Sequence, residues 1–174
     1  MKHITQLLLI LLTQQLFAQM LISPIDAMKE NYDLNATISK KNILLSNKKF
    51  KTLQKNAGVK LDTKIYRVYT AKKDEKLLGY GILINRKVRS KNAVTLYFIK
   101  DSILQGIEVV AFNETLEYLP TKKWNEQFKN KSTDKQLKLN KNITNISGAT
   151  MSTKSLTDGS RIAFALYNLL YKEK

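Results

Sequence analysis

The order of apolar and polar positions divides the chain into a mostly helical start, a β-rich middle and a helical end. The stretch "SPIDAMKENYDLN" from Ser23 offers Asp26 as a helix cap ahead of a short turn. Ser46 can cap "NKKFKTLQKNAG", in which Phe50, Leu53 and Ala57 share one helical face and Gly58 is a natural stop. The period then shortens. "KIYRVYTA" around Ile65 to Tyr69 reads as a strand, the charged "KKDEK" as a turn and "LLGYGILI" as its hairpin partner. Two more β-rich runs follow, "AVTLYFI" from Ala93 and "ILQGIEVVAF" from Ile103, so a four-stranded antiparallel meander is the economical arrangement.

After Asn113 the pattern turns helical again. Pro120 marks a helix start, with Trp124 and Phe128 on one side of the helix, a spacing that usually signals core contact. Residues 130–142 are polar and irregular and predict a long loop. Beyond it, Ser152 or Thr153 can cap a helix whose stripe is Leu156, Ala163, Leu166 and Leu170, flanked by Ile162 and Leu169. The expected class is α+β: an antiparallel sheet of about four or more strands packed with helices, one of them C-terminal.

A length of 174 residues suits one core. The N-terminal "MKHITQLLLILLTQQLFA" has a lysine at its start, an apolar run from Leu7 to Leu12 and a small residue at Ala18, the plan of a secretory signal peptide over residues 1–18. Residues 19–174 then form a single domain. Its run is short for a bilayer span, yet "MLISPI" beyond it is also apolar, so cleavage and retention as an anchor both stay open. The expected location is outside the cytoplasm, periplasmic or on the outer face of a bacterial inner membrane.

Cysteine is absent and the one histidine is His3, inside that leader. Disulfides, thiolate metal sites, thioether-attached haem, Ser/His triads and histidine-ligated metals are thereby excluded from the mature chain. No catalytic side chains and no metal ligands are assigned. Covalent or redox chemistry has to come from a borrowed cofactor. The net charge of +16 suggests an anionic partner, but only Arg67, Arg86, Arg89 and Arg161 among 30 basic residues offer forked donors, so nucleic acid is not expected as a partner. The lysines run along the chain without one dominant block.

The segment "NISGATMSTKSLTDGSRIAFAL" from Asn145 carries the candidate chemistry. Ser147, Gly148, Ala149 and Thr150 form a small-residue loop ahead of a helix. On its own this is either a plain turn or an anion site, in which Gly148 and Ala149 allow close backbone approach and Thr150, the helix amides and Lys154 meet a phosphate.

That segment resembles the covalent flavin-attachment motif of the FMN-binding domain family, which includes the flavin-bearing subunits of the Rnf and sodium-pumping quinone reductase complexes and many small exported relatives. The resemblance extends over about residues 77 to 170. "GIEVVAFNETLEYL" is similar to the strand and Glu-Thr segment before the flavin pocket, and "KKWNEQFKNKS" to the Trp, Gln, Phe stretch of the exported members. It implies covalent FMN on Thr150, with Ser147, Gly148 and Ala149 as the loop a flavin transferase recognises and Glu114 and Thr115 near the flavin; the anion-site reading adds Lys154, and Ser152 at the helix start, as further cofactor-binding candidates. Trp124 reads as a core aromatic ahead of a flavin-stacking one. Two departures from the family pattern stand out: Thr144 lies where many members have aspartate, and Leu116 and Glu117 replace a Pro and Gly.

The function implied is that of an exported electron carrier. A flavin transferase would place FMN from FAD on Thr150 with loss of AMP, and a membrane-bound donor and an exported redox acceptor would be its partners. Two alternatives stay open on the residues alone: a non-enzymatic basic module for anionic envelope surfaces, and a flavin-dependent reductase acting on a small substrate.

Overall fold

The computed structural model describes residues 20–172, so the leader reading of residues 1–18 lies outside the described residues. Helix α1 (Pro24–Tyr32) precedes strand β1 (Thr37–Leu44), and helix α2 (Asn47–Ala57) leads into the meander β2 (Ile65–Lys73), β3 (Lys76–Lys87), β4 (Asn92–Lys100) and β5 (Ile103–Phe112). A short helix α3 (Lys122–Asn125), a two-residue strand β6 (Lys131–Ser132) and the long helix α4 (Thr150–Leu170) complete the order. The six strands lie in sequence order, each antiparallel to its neighbour. The α+β expectation therefore holds, with six strands in the sheet. No helix among the described residues is long and apolar enough to cross a membrane.

Local chemistry explains the hairpins. The β2–β3 and β4–β5 links are two-residue turns whose central residues, Asp74 and Glu75 in one and Asp101 and Ser102 in the other, all have positive φ. That is the primed turn whose twist matches paired strands. Each face of the sheet buries its own cluster. On one, α1 packs Ala27 and Met28 against Tyr69, Leu96 and Phe98. On the other, α2 and α4 cover Val68, Ile82, Tyr97, Ile99 and Phe112, and this larger core also takes in Trp124 and Phe128. Each such large apolar side chain contributes roughly 1.5–3 kcal/mol by leaving water.

Four details differ from the sequence reading. Ser23, not Asp26, caps α1, its hydroxyl accepting the backbone N–H of Asp26, which occupies the first turn. Strand β1 was not foreseen: it lies at the sheet edge with mostly exposed side chains, so burial stamps no alternation on its sequence. The polar 130–142 stretch holds β6 and buries Leu137, so it is not wholly irregular. Helix α4 begins at Thr150, two or three residues earlier than the expected caps, and Ser152 and Thr153 lie buried inside it. Ser46 and Gly58 do bound α2, the latter with φ 62°.

Burial of α4 goes well beyond its apolar stripe, since Ser155, Thr157, Asp158, Gly159 and Ser160 are buried as well. Such depth needs close approach to the sheet. Tyr97, on β4, donates its hydroxyl to the carbonyl of Leu156 at 2.7 Å, and a Cβ on Gly159 would collide with that hydroxyl. Burial pushes the Tyr97 phenol far up, so it stays a donor at any ordinary pH. Gly159→Ala, which helix propensity alone favours by about 1 kcal/mol, is expected instead to destabilise the fold by about 1–3 kcal/mol through overpacking. Urea unfolding would measure it, and a stabilised variant would contradict this packing.

Candidate functional site

The approach to α4 is held from below by the Trp-Gln segment. Trp124 packs edge-on against Phe128, with ring centroids 5.4 Å apart, and its indole N–H donates to the carbonyl of Thr144 at 2.7 Å. The backbone N–H of Thr144 donates to Gln127 Oε1, also at 2.7 Å. Trp124 is thus a core aromatic that also fixes the start of the loop. Thr144 enters these contacts only through its backbone, leaving its side chain exposed.

From there the chain makes a tight turn. The N–H of Ala149 donates to the carbonyl of Ile146 at 3.1 Å, so Ser147 and Gly148 occupy the two central positions. Gly148 has φ 84°, the value that a type II turn demands at its third residue, and open space surrounds it. Its glycine is required by conformation rather than by crowding. Ala149 is the N-cap of α4 and supplies no capping side chain. The other three helices are capped by hydroxyls, those of Ser23, Ser46 and Thr121. Alone among the α-helices of the described residues, the longest keeps its first N–H groups without a side-chain acceptor, at the positive end of its dipole.

Thr150 is the first residue of that helix and is exposed. Asn145 donates from Nδ2 to Thr150 Oγ1 at 3.1 Å, while its Oδ1 accepts the Thr153 hydroxyl at 2.6 Å. Asn145 is therefore oriented by a buried hydroxyl and in turn orients an exposed one. Because it donates to Oγ1, the Thr150 proton remains free to leave.

Beside Thr150 opens a cavity of about 260 Å³. The β3–β4 turn contributes Val88 and Arg89, the segment after β5 contributes Glu114 and Tyr118, and Gly148 to Ser152 form the remaining wall. Ser152 is 1% exposed, and its Oγ has no hydrogen-bond partner. A buried hydroxyl on a cavity wall without a partner is an unmet demand for a polar ligand atom. A roomier cleft of 610 Å³ runs along Leu21 and Leu119, but the 147–150 loop does not line it.

Glu114 works inside the wall. Its carboxylate accepts the backbone N–H groups of Ser90 at 2.6 Å and Lys91 at 2.7 Å and the Ser90 hydroxyl at 3.1 Å. These donors, the Lys91 N–H first, hold its carboxyl below the usual range. By fixing the turn, Glu114 fixes Arg89 at the cavity.

Of the residues singled out in the sequence, Gly148, Ala149, Thr150, Ser152 and Glu114 meet at this cavity. Three do not line it. Ser147 lies exposed in the turn, and Thr115 accepts the Tyr118 N–H through its carbonyl at the head of a 3-10 turn. Lys154 is paired with Asp158 one helical turn on, and that carboxylate also faces Arg161 at 3.6 Å and Arg86 at 3.8 Å. Sequence reasoning missed Asn145, Arg89 and Tyr118. An amide five residues before a hydroxyl acceptor was a visible signal for the first; the other two are brought in only by the fold.

The donor set fits FMN. Free helix amides, the Ser152 hydroxyl and the Arg89 guanidinium suit a phosphate, and Val88, Ala149 and Tyr118 offer apolar or aromatic surface. The volume lies a little under the roughly 300–1,000 Å³ of pockets that bury most of a ligand.

The Glu114 tie has a defined pH dependence. A carboxylate whose folded pKa is depressed contributes in full above its ordinary value, about 4.3, and its contribution is lost as pH falls through the lower folded value. In an acid titration followed by NMR, the Ser90 and Lys91 amides should shift with a midpoint below about 4.3. A midpoint at or above that value would contradict the tie, and Glu114→Gln should abolish the transition.

Comparison with known proteins gives one family. No curated protein matches the chain. Residues 89–165 match the family model of the FMN-binding domain, a stretch that starts at Arg89 in the cavity wall and runs through the loop well into α4. The matched stretch takes in Arg89, Glu114, Tyr118 and the 147–152 segment, so most of the cavity wall lies within the part of the chain that is similar to the FMN-binding domain.

Proposed function

We propose that this protein carries FMN covalently, through a phosphoester on Thr150, and works outside the cytoplasm as an electron carrier between a membrane-bound donor and an exported acceptor. The observation that carries the reading is an exposed hydroxyl, held by Asn145, on the first residue of an uncapped helix beside a cavity. Attachment by a flavin transferase uses FAD as donor. The Thr150 O–H gives up its proton, a bond forms from Oγ1 to phosphorus, and the pyrophosphate bond breaks with AMP leaving. The amides of the first turn of α4, with Ser152 and Arg89, hold the phosphate and offset its charge.

Bound FMN supplies one- and two-electron redox chemistry that no side chain of this protein provides. Residues 20–172 contain neither cysteine nor histidine, so that part of the chain offers neither thiol nor imidazole chemistry. What it contributes is a rigid mount and a local charge. A covalent link also keeps the cofactor at high effective concentration where a dissociable one would be lost by dilution. The leader-like residues 1–18 support the extracytoplasmic setting.

Coexpression with a flavin transferase, followed by intact mass, tests the attachment. The wild-type chain should gain the mass of FMN less one water, Thr150→Ala none, and Thr150→Ser the full increment. Asn145→Ala should gain it about tenfold more slowly, the effect of one lost positioning hydrogen bond. An unmodified wild type beside an active transferase, or a modified Thr150→Ala, would overturn the assignment.

A further inference from the structure

Residues 37–64 hold eight lysines and a single acidic residue, Asp62. All eight are exposed, and none pairs with a carboxylate among the described residues. They fall on β1 (Lys40 and Lys41), on α2 (Lys48, Lys49, Lys51 and Lys55) and on the segment that leads from α2 into β2 (Lys60 and Lys64).

The corner where β1 ends and α2 begins adds a second feature. Leu44 is 74% exposed and Ile65 is 60% exposed, and the two stand directly opposite each other in the β1–β2 register. A cross-strand aliphatic pair this open to water has no packing role. Lys64 is fixed beside it, donating to Asn47 Oδ1 at 2.7 Å with its ammonium 5.8 Å from the centre of the Phe50 ring. Lys48 and Lys49 occupy the first turn of α2, which contains no acidic residue. Cations there oppose the helix dipole, an arrangement that an anion against this corner would relieve.

We propose that this corner docks the protein onto an anionic membrane, Leu44 and Ile65 entering the headgroup region while Lys48, Lys49 and Lys64 meet lipid phosphates. The charge favours lipid over an acidic protein, because lysine ammoniums provide diffuse attraction, whereas docking of a carboxylate-bearing face draws on the forked geometry of arginine. The adjacent aliphatic pair gives what charge alone does not, a gain on entering an apolar layer. The surface is independent of the flavin site and of whether Thr150 is modified.

Co-sedimentation of the full chain with vesicles of phosphatidylglycerol in phosphatidylcholine, against pure phosphatidylcholine, tests it. Partitioning should favour the anionic vesicles by at least about tenfold and collapse in about 1 M salt, where the screening length falls to about 3 Å. Lys48→Glu/Lys49→Glu and Leu44→Ser/Ile65→Ser should each weaken it about tenfold or more with unfolding midpoints unchanged. Equal binding to neutral vesicles would assign the affinity to the apolar Leu7–Leu12 stretch and overturn the proposal. So would an aliphatic double variant that binds like wild type, which would indicate an acidic macromolecule. A vesicle-free dimer dissociated by Leu44→Ser/Ile65→Ser would instead identify a second copy as the occupant, and would equally overturn it.

Discussion

The contact between the Tyr97 hydroxyl and α4 determines where everything else in the site can be. Helix α4 lies close enough to the sheet to bury polar residues on most of its circumference only because Gly159 makes room for that hydroxyl and Leu156 accepts its proton. A helix seated in this way is a rigid rod about 30 Å long. Its first residue, Thr150, stands about 9 Å along the axis from Leu156 and inherits that rigidity. The contrast within the first turns is sharp: Thr150, Met151 and Lys154 are exposed, while Ser152 and Thr153 are sealed in. The exposed Thr150 hydroxyl thus projects from a fixed frame rather than from a mobile loop.

The electrostatics of α4 follow the same division of labour. Midway along, Asp158 is buried among Arg86, Lys154 and Arg161, so the interior charge is matched to the helix from within the fold. At the start no such matching exists. Ala149 caps nothing, and no acidic residue stands in the first turn. A helix end without protein partners beside an unpaired buried hydroxyl is a local deficit that an anionic group would fill. The neighbouring Glu114 does not fill it, since its carboxylate is already committed to the Ser90 and Lys91 amides.

Much of this was legible in the amino-acid order, and the failures have physical causes. Strands β2 to β5 announced themselves because both faces of the sheet are covered, giving dense β-branched and aromatic runs. Strand β1 did not, since an edge strand bearing Lys40 and Lys41 reads as a polar linker. Ser152 and Thr153 were expected to cap α4 on the rule that a helix satisfies its own start, and the rule failed where the start is kept bare. Such a miss is informative, because local rules break most often at functional positions. Thr150, Gly148 and Glu114 were found by motif, whereas Arg89 and Tyr118 reach the cavity only through the β3–β4 turn and the segment after β5. Local sequence around either one carries no trace of that meeting.

The central claim is that the helix start holds FMN as a phosphodiester, and phosphorus NMR of the natively purified, flavin-loaded protein tests it most directly. A phosphoester to Thr150 has no second ionisation, so its resonance should stay constant between about pH 5 and pH 8, in contrast to a phosphate monoester, which titrates near pH 6. A resonance that shifts with a midpoint near pH 6 would show a free FMN phosphate and contradict the account.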